Sequence, residues 1–123
     1  MADKIRFGVI GVGMIGGSHL RAYADIPEAE VVALCDIDET ALARRSGEFG
    51  VERTFTAFRD LLACDDIDAI DVCLHNNKHA PVTIAAFEAG KDVYCEKPMA
   101  GSWYDARAMY DAARQTGRKL HIQ

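Results

Sequence analysis

The chain has 123 residues, half of them hydrophobic and 27% charged, with a net charge of −5. That length suits a single domain, 1–123, the apolar content excludes disorder, and the acidic balance argues against nucleic acid or an anionic membrane as partner. No apolar run approaches the ~20 residues of a membrane span, no signal peptide is legible, and Cys35, Cys64, Cys73 and Cys95 form no C-x-x-C pair, so the expectation is a reduced, cytoplasmic protein without a metal site.

Lys4 to Ile10 reads as a first strand, apolar enough to be buried on both faces. It stops at Gly11, and Gly11, Gly13 and Gly16 stand at G-x-G-x-x-G spacing before a helix predicted over Met14 to Asp25. Gly11 permits a tight turn, Gly13 lets a pyrophosphate reach the backbone, and Gly16 lets the helix pack against the strand. The N–H groups of Met14, Ile15 and Gly16 then lie at the positive end of the helix dipole. Ile15, Leu20 and Tyr23 are expected to face the sheet, and Ile26-Pro27 ends the helix.

Val31 to Cys35 is the second strand, closed by Asp36, 20 residues after Gly16. An acid there reads the ribose 2′-OH of NAD, with Ile37 beside it. As an ordinary turn or cap residue Asp36 would not need the glycines upstream; strand, glycines, helix, strand and acid in order favour the dinucleotide. Asp38 to Phe49 is a helix capped by Asp38 and closed by Gly50. Arg53 to Phe55 is a short strand, and Phe58 to Ala63 a short helix capped by Thr56. Asp65, Asp66 and Asp68 are read as a solvated turn rather than a metal site.

Ala69 to Leu74 is the fourth strand. Pro81 to Ala89 is a helix with Pro81 in its first turn and Gly90 at its end. Asp92 to Cys95, a helix from Ser102 to Thr116 closed by Gly117, and Lys119 to Ile122 complete the chain. Strand and helix alternate throughout, so the fold class is α/β, a doubly wound parallel sheet (Rossmann) with strand order 3-2-1-4-5-6.

Ligands in such sheets bind beyond the carboxyl ends of the strands. Two segments fall there: L-H-N-N-K-H at 74–79 and C-E-K-P-M at 95–99. A lysine so placed can donate or accept a proton, where elsewhere it would be a surface lysine in a loop.

With these pieces the chain resembles the N-terminal domain of the glucose–fructose oxidoreductase, inositol dehydrogenase and rhizopine-catabolism (Gfo/Idh/MocA) family. The resemblance rests on G-V-G-M-I-G at 11–16, L-C-D at 34–36, N-N-K-H at 76–79, A-G-K-D-V at 89–93 and C-E-K-P at 95–98. It implies NAD as cofactor and Lys97 as the catalytic lysine, assisting proton transfer at a sugar or cyclitol hydroxyl while hydride passes to nicotinamide. It also implies Glu96 and Asn76 beside the nicotinamide ribose, His79 near the same loop, and a cis bond between Lys97 and Pro98.

Leu74-His75 replaces the Thr-Pro common in the family before the asparagine, which alters a loop touching the cofactor. His75 is read as a partly exposed loop histidine that can reach the ligand. The family's second half, with the substrate pocket and the surface through which a homo-oligomer forms, has no counterpart in this sequence. The expected activity is therefore that of the cofactor-binding half of an NAD-dependent oxidoreductase acting on a polyhydroxylated small molecule. A stand-alone NAD-binding module without catalysis is the alternative, and elimination chemistry with tightly held NAD a weaker third.

Overall fold

Near-continuous apolar runs give the central strands two faces to bury, and the computed structural model, which describes residues 3–123, covers both. The strands are β1 (Ile5–Ile10), β2 (Ala29–Cys35), β3 (Thr54–Phe55), β4 (Ala69–Val72), β5 (Asp92–Cys95) and β6 (Leu120–Ile122). They pair in parallel in the order β3-β2-β1-β4-β5-β6, as the alternation predicts. The helices are α1 (Met14–Tyr23), α2 (Glu39–Phe49), α3 (Phe58–Leu62), α4 (Asn76–Glu88) and α5 (Trp103–Thr116).

Val9 and Leu34 point to one face and pack with Leu20 of α1 and Leu42 of α2. Ile10, Ala33 and Cys35 point to the other and pack with Leu61 of α3, Phe87 of α4 and Met109 of α5. The chain winds outward from β1 to β3, then returns to lay β4 against the free side of β1. That reversal between β1 and β4 opens a crevice at the carboxyl end of the sheet.

The caps follow local chemistry. The Asp38 carboxylate accepts the N–H of Thr40 at 3.0 Å and of Ala41 at 3.2 Å, and the Ser102 hydroxyl accepts that of Asp105 at 3.1 Å. Gly50 and Gly117 close α2 and α5 in the left-handed conformation that only glycine adopts freely, with φ of 68° and 70°. The acidic turn is held by arginines: Asp66 accepts from Arg53 at 2.6 Å and Asp68 from Arg6 at 3.2 Å.

Four expectations are corrected. The residue before α3 is Ala57, and no side chain caps that helix, so Thr56 is not its cap. Helix α4 begins at Asn76, which puts Pro81 inside it rather than in its first turn. A proline there forgoes one backbone bond, to the carbonyl four residues back, and burial of His79, Ala80, Val82 and Thr83 along one side holds the extra turn in place. Ile15 is 48% exposed and does not face the sheet; Gly16, Gly17 and Leu20 do. Strand β4 ends at Val72, leaving Cys73 and Leu74 to lead into the crevice.

Candidate functional site

The glycine turn is shaped by what a side chain would hit. Gly11 has φ of 94°, and a Cβ there would overlap the Cys73 carbonyl. A Cβ at Gly16 would overlap the Gly11 carbonyl oxygen, so α1 starts directly on the turn. At Gly13 a Cβ would meet nothing within 4 Å. Two glycines are therefore required by the protein's own packing, while the middle one is bare toward the crevice. No side chain caps α1, whose first turn begins beside that bare backbone. This is the cradle a pyrophosphate fits, with N–H donors and no side chain in its way.

Asp36 closes the turn from the end of β2. One carboxylate oxygen accepts the Val12 N–H at 2.9 Å, the other that of Asp38 at 2.9 Å. Ile37 and Met14, 85% and 83% exposed, flank the turn without packing into the core. Arg45, a residue sequence reasoning passed over, reaches from α2 under the turn. Its guanidinium donates to the carbonyls of Val12 and Gly13, both at 3.1 Å, and to Glu48 at 2.8 Å. A Cβ at Gly17 would strike that guanidinium, which is why α1 carries two glycines in succession.

The segments after β4 and β5 are tied together by His79. It is fully buried; Nε2 contacts the Leu74 carbonyl at 2.9 Å and Nδ1 the Pro98 carbonyl at 2.9 Å. Its ring thus holds both loops by their backbones and has no free face toward solvent. His75 precedes α4 without capping it by its side chain, and both it and Asn76 are exposed. Lys97 is exposed directly after β5, and its bond to Pro98 is cis. Lys91 of the A-G-K-D-V segment is 4% exposed and donates to the Cys64 carbonyl at 2.7 Å and the Ile67 carbonyl at 2.9 Å, a structural clamp.

A polar cluster that sequence reasoning missed lies where β1, β4 and β5 meet α1. Asp71, fully buried in β4, accepts from His19 Nδ1 at 2.7 Å and from the Tyr23 hydroxyl at 2.8 Å. The Cys73 thiol donates to its second oxygen at 3.3 Å. The other His19 nitrogen, Nε2, lies 2.8 Å from Glu96. With both carboxyls ionised, each ring nitrogen faces an acceptor, so the imidazolium is the form of His19 that satisfies both contacts.

Its pKa is raised above the usual 6.5, first by the hydrogen bond to Asp71 and further by Glu96, against the opposing effect of burial. Burial, with Asp71 nearby, pushes the Cys73 thiol and the Tyr23 hydroxyl up. His19, Asp71 and Cys73 could group around a metal ion. However, the 2.7 Å His19–Asp71 spacing is that of a hydrogen bond, shorter than the ~3.3 Å between ligands of a tetrahedral ion. The available signals were an acid inside an otherwise apolar strand, and His19 and Tyr23 one helical turn apart.

A parallel sheet reversing at β1 and β4, with a bare glycine turn and an acid at the tip of β2, defines a dinucleotide-binding domain of the Rossmann class. Residues 5–123 match the family model described as oxidoreductase family, NAD-binding Rossmann fold, and the chain belongs to that Gfo/Idh/MocA family. It is 39% identical over 117 residues to inositol 2-dehydrogenase 3 of Saccharopolyspora erythraea, covering 94% of this chain and 34% of that protein. It is 35% identical over 122 residues to levoglucosan dehydrogenase of Pseudarthrobacter phenanthrenivorans, covering 91% of this chain and 31% of that one.

Among solved structures it resembles the WlbA dehydrogenase of Bordetella pertussis in complex with NADH and UDP-GlcNAcA. The TM-score is 0.93 and the identity 35%, over 98% of this chain and 37% of that one. The chain thus spans about a third of the length of these relatives and is an NAD-binding oxidoreductase domain. No helix among the described residues is long and apolar enough to cross a membrane.

Proposed function

We propose that the chain is the cofactor-binding part of a dehydrogenase acting on a secondary hydroxyl or ketone of a sugar, cyclitol or sugar derivative. The observation that carries this reading is that Glu96 and Lys97 follow β5 at the same carboxyl edge where β1 delivers the glycine turn and β2 delivers Asp36. The relatives named above, an inositol and a levoglucosan dehydrogenase, supply the substrate class.

NAD when bound supplies hydride transfer. The chain's own residues divide the remaining work. Gly11, Gly13 and Gly16, with the N–H groups of Met14 and Ile15, receive the pyrophosphate. Asp36 accepts from the adenosine ribose, and Ile37 borders the adenine. Leu74, His75, Asn76 and Glu96 border the nicotinamide ribose, and His79 holds their loops in register. Lys97 donates a proton to the substrate carbonyl as the ammonium, or accepts one from the hydroxyl as the neutral amine. The single domain 1–123, a cytoplasmic setting, and homo-oligomerisation through sequence beyond this chain belong to the same proposal.

The test is Lys97→Met in the whole gene product. Turnover should fall by about 10²–10⁴-fold, the usual worth of acid–base assistance, with NAD affinity little changed. Full activity in that variant would remove Lys97 from proton transfer. A gene product that binds NAD and turns over no polyol or sugar would favour a binding module without catalysis.

A further inference from the structure

We propose that His19 is a positioning residue of the cofactor site: its imidazolium, clamped between Asp71 and Glu96, fixes the Glu96 carboxylate at the nicotinamide end and makes cofactor affinity depend on the His19 proton. The inference rests on the cofactor reading above and adds a residue and a proton to it.

The geometry is directional. Asp71 is fully buried on β4 and anchors Nδ1 at 2.7 Å. The Tyr23 hydroxyl, 2.8 Å from the same carboxylate, stops Asp71 from turning away. With Nδ1 anchored, Nε2 can only project across the end of β5, where it meets Glu96 Oε2 at 2.8 Å. The Glu96 backbone N–H is itself tied to the Val72 carbonyl at 3.0 Å, so both ends of the residue are held. Among the described residues Glu96 Oε1 makes no hydrogen bond, which leaves it as the acceptor this carboxylate offers to a ribose hydroxyl. A neutral imidazole has one N–H and cannot donate to both acids. Loss of the proton therefore releases either the anchor or Glu96.

The groups facing His19 are few. Asp71 and Cys73 come from β4 and the residue after it, Tyr23 from α1 itself, Glu96 from the end of β5. The Tyr94 ring lies 5.6 Å away and is stacked in turn on His121. Cys73, Tyr23 and Tyr94 are all pushed up by burial and by the neighbouring acids, away from neutral pH. His19, whose own shift is upward, is the imidazole that touches both acids.

The experiment measures NADH affinity of this chain by fluorescence from about pH 6 to about pH 9, alongside an NMR titration of the imidazole C–H resonances without cofactor. Wild type, His19→Gln and Glu96→Gln are compared. The resonance lost in His19→Gln identifies the ring. In wild type its midpoint should lie above that of an ordinary histidine, and NADH affinity should fall about tenfold as pH rises through it. Glu96→Gln should move the midpoint down. His19→Gln should bind about tenfold more weakly at the acid end and show a flat profile.

An NADH profile that ignores the His19 midpoint, or that survives unchanged in His19→Gln, overturns the inference and leaves the cofactor reading standing. Wild type that binds no NADH at all overturns the cofactor reading, and this inference with it. If His19→Gln does not fold, wild type and Glu96→Gln decide alone: an NADH-affinity profile whose midpoint is the same in both overturns the clamp.

Discussion

Asp36 and Val12 are joined by a 2.9 Å hydrogen bond from the Val12 N–H to the Asp36 carboxylate. The acid at the tip of β2 is therefore also the clasp of the glycine turn, and a cofactor ribose would meet a carboxylate already fixed by the protein. That preorganisation bears on cofactor choice. A 2′-phosphate would approach a held negative charge, and Ile37 and Asp38 follow where a compensating arginine would stand. NAD should bind more tightly than NADP by at least ~1.4 kcal/mol, a factor of ten, in titration calorimetry. Asp36→Ala should lose that preference and also loosen the turn. Equal affinity for the two cofactors in wild type would detach Asp36 from the ribose.

Gly13→Val separates ligand binding from folding. A Cβ there meets nothing within 4 Å. The variant should keep its circular dichroism and thermal midpoint and lose NAD binding. Gly16→Ala should do the reverse of sparing the fold, because its methyl overlaps the Gly11 carbonyl. Normal NAD binding by Gly13→Val would show that the turn is structural only.

Arg45 supports the turn from below, so its loss should be felt in both stability and affinity. Arg45→Met leaves the Val12 and Gly13 carbonyls without their donor in a site where the arginine is 9% exposed. The Val12 carbonyl is buried, and an orphaned buried acceptor costs about 1–3 kcal/mol. Urea denaturation should show a loss of that order, together with weaker NAD binding. Gly17→Ala should mimic it in part, since the added methyl displaces the same guanidinium.

Stability should vary with pH on two sides. The folded pKa of His19 is raised above 6.5, so its contribution is fully present below that value and is lost as pH rises through the raised one. Asp66 and Asp68 run the other way. Their carboxyls are held below 3.8, chiefly by Arg53 and Arg6, so their contribution is present above that value and lost as pH falls through the lowered one. Urea midpoints against pH should decline at both ends, and Glu96→Gln should shift only the alkaline limb.

Features that depend on neighbours along the chain are legible in the residues alone. The period of the apolar residues placed every strand and, through the handedness of crossovers, their order. Asp38, Ser102, Gly50 and Gly117 ended their helices as local hydrogen bonding and backbone freedom require. The spacing of Gly11, Gly13 and Gly16 placed the turn, and the E-K-P segment placed Lys97 beyond a strand end.

Which distant groups meet depends on how the strands and helices pack. Pro81 lies inside α4 because burial of one side of that helix outweighs the bond a proline removes. Ile15 was turned outward because Gly16 and Gly17 must lie against Gly11 and Arg45. His19, Asp71 and Glu96 are separated by 52 and 77 residues from His19 onward, so no local pattern joins them. Their pairing follows from the parallel pairing of β4 and β5 beside α1, where a buried acid must find its donors within the fold.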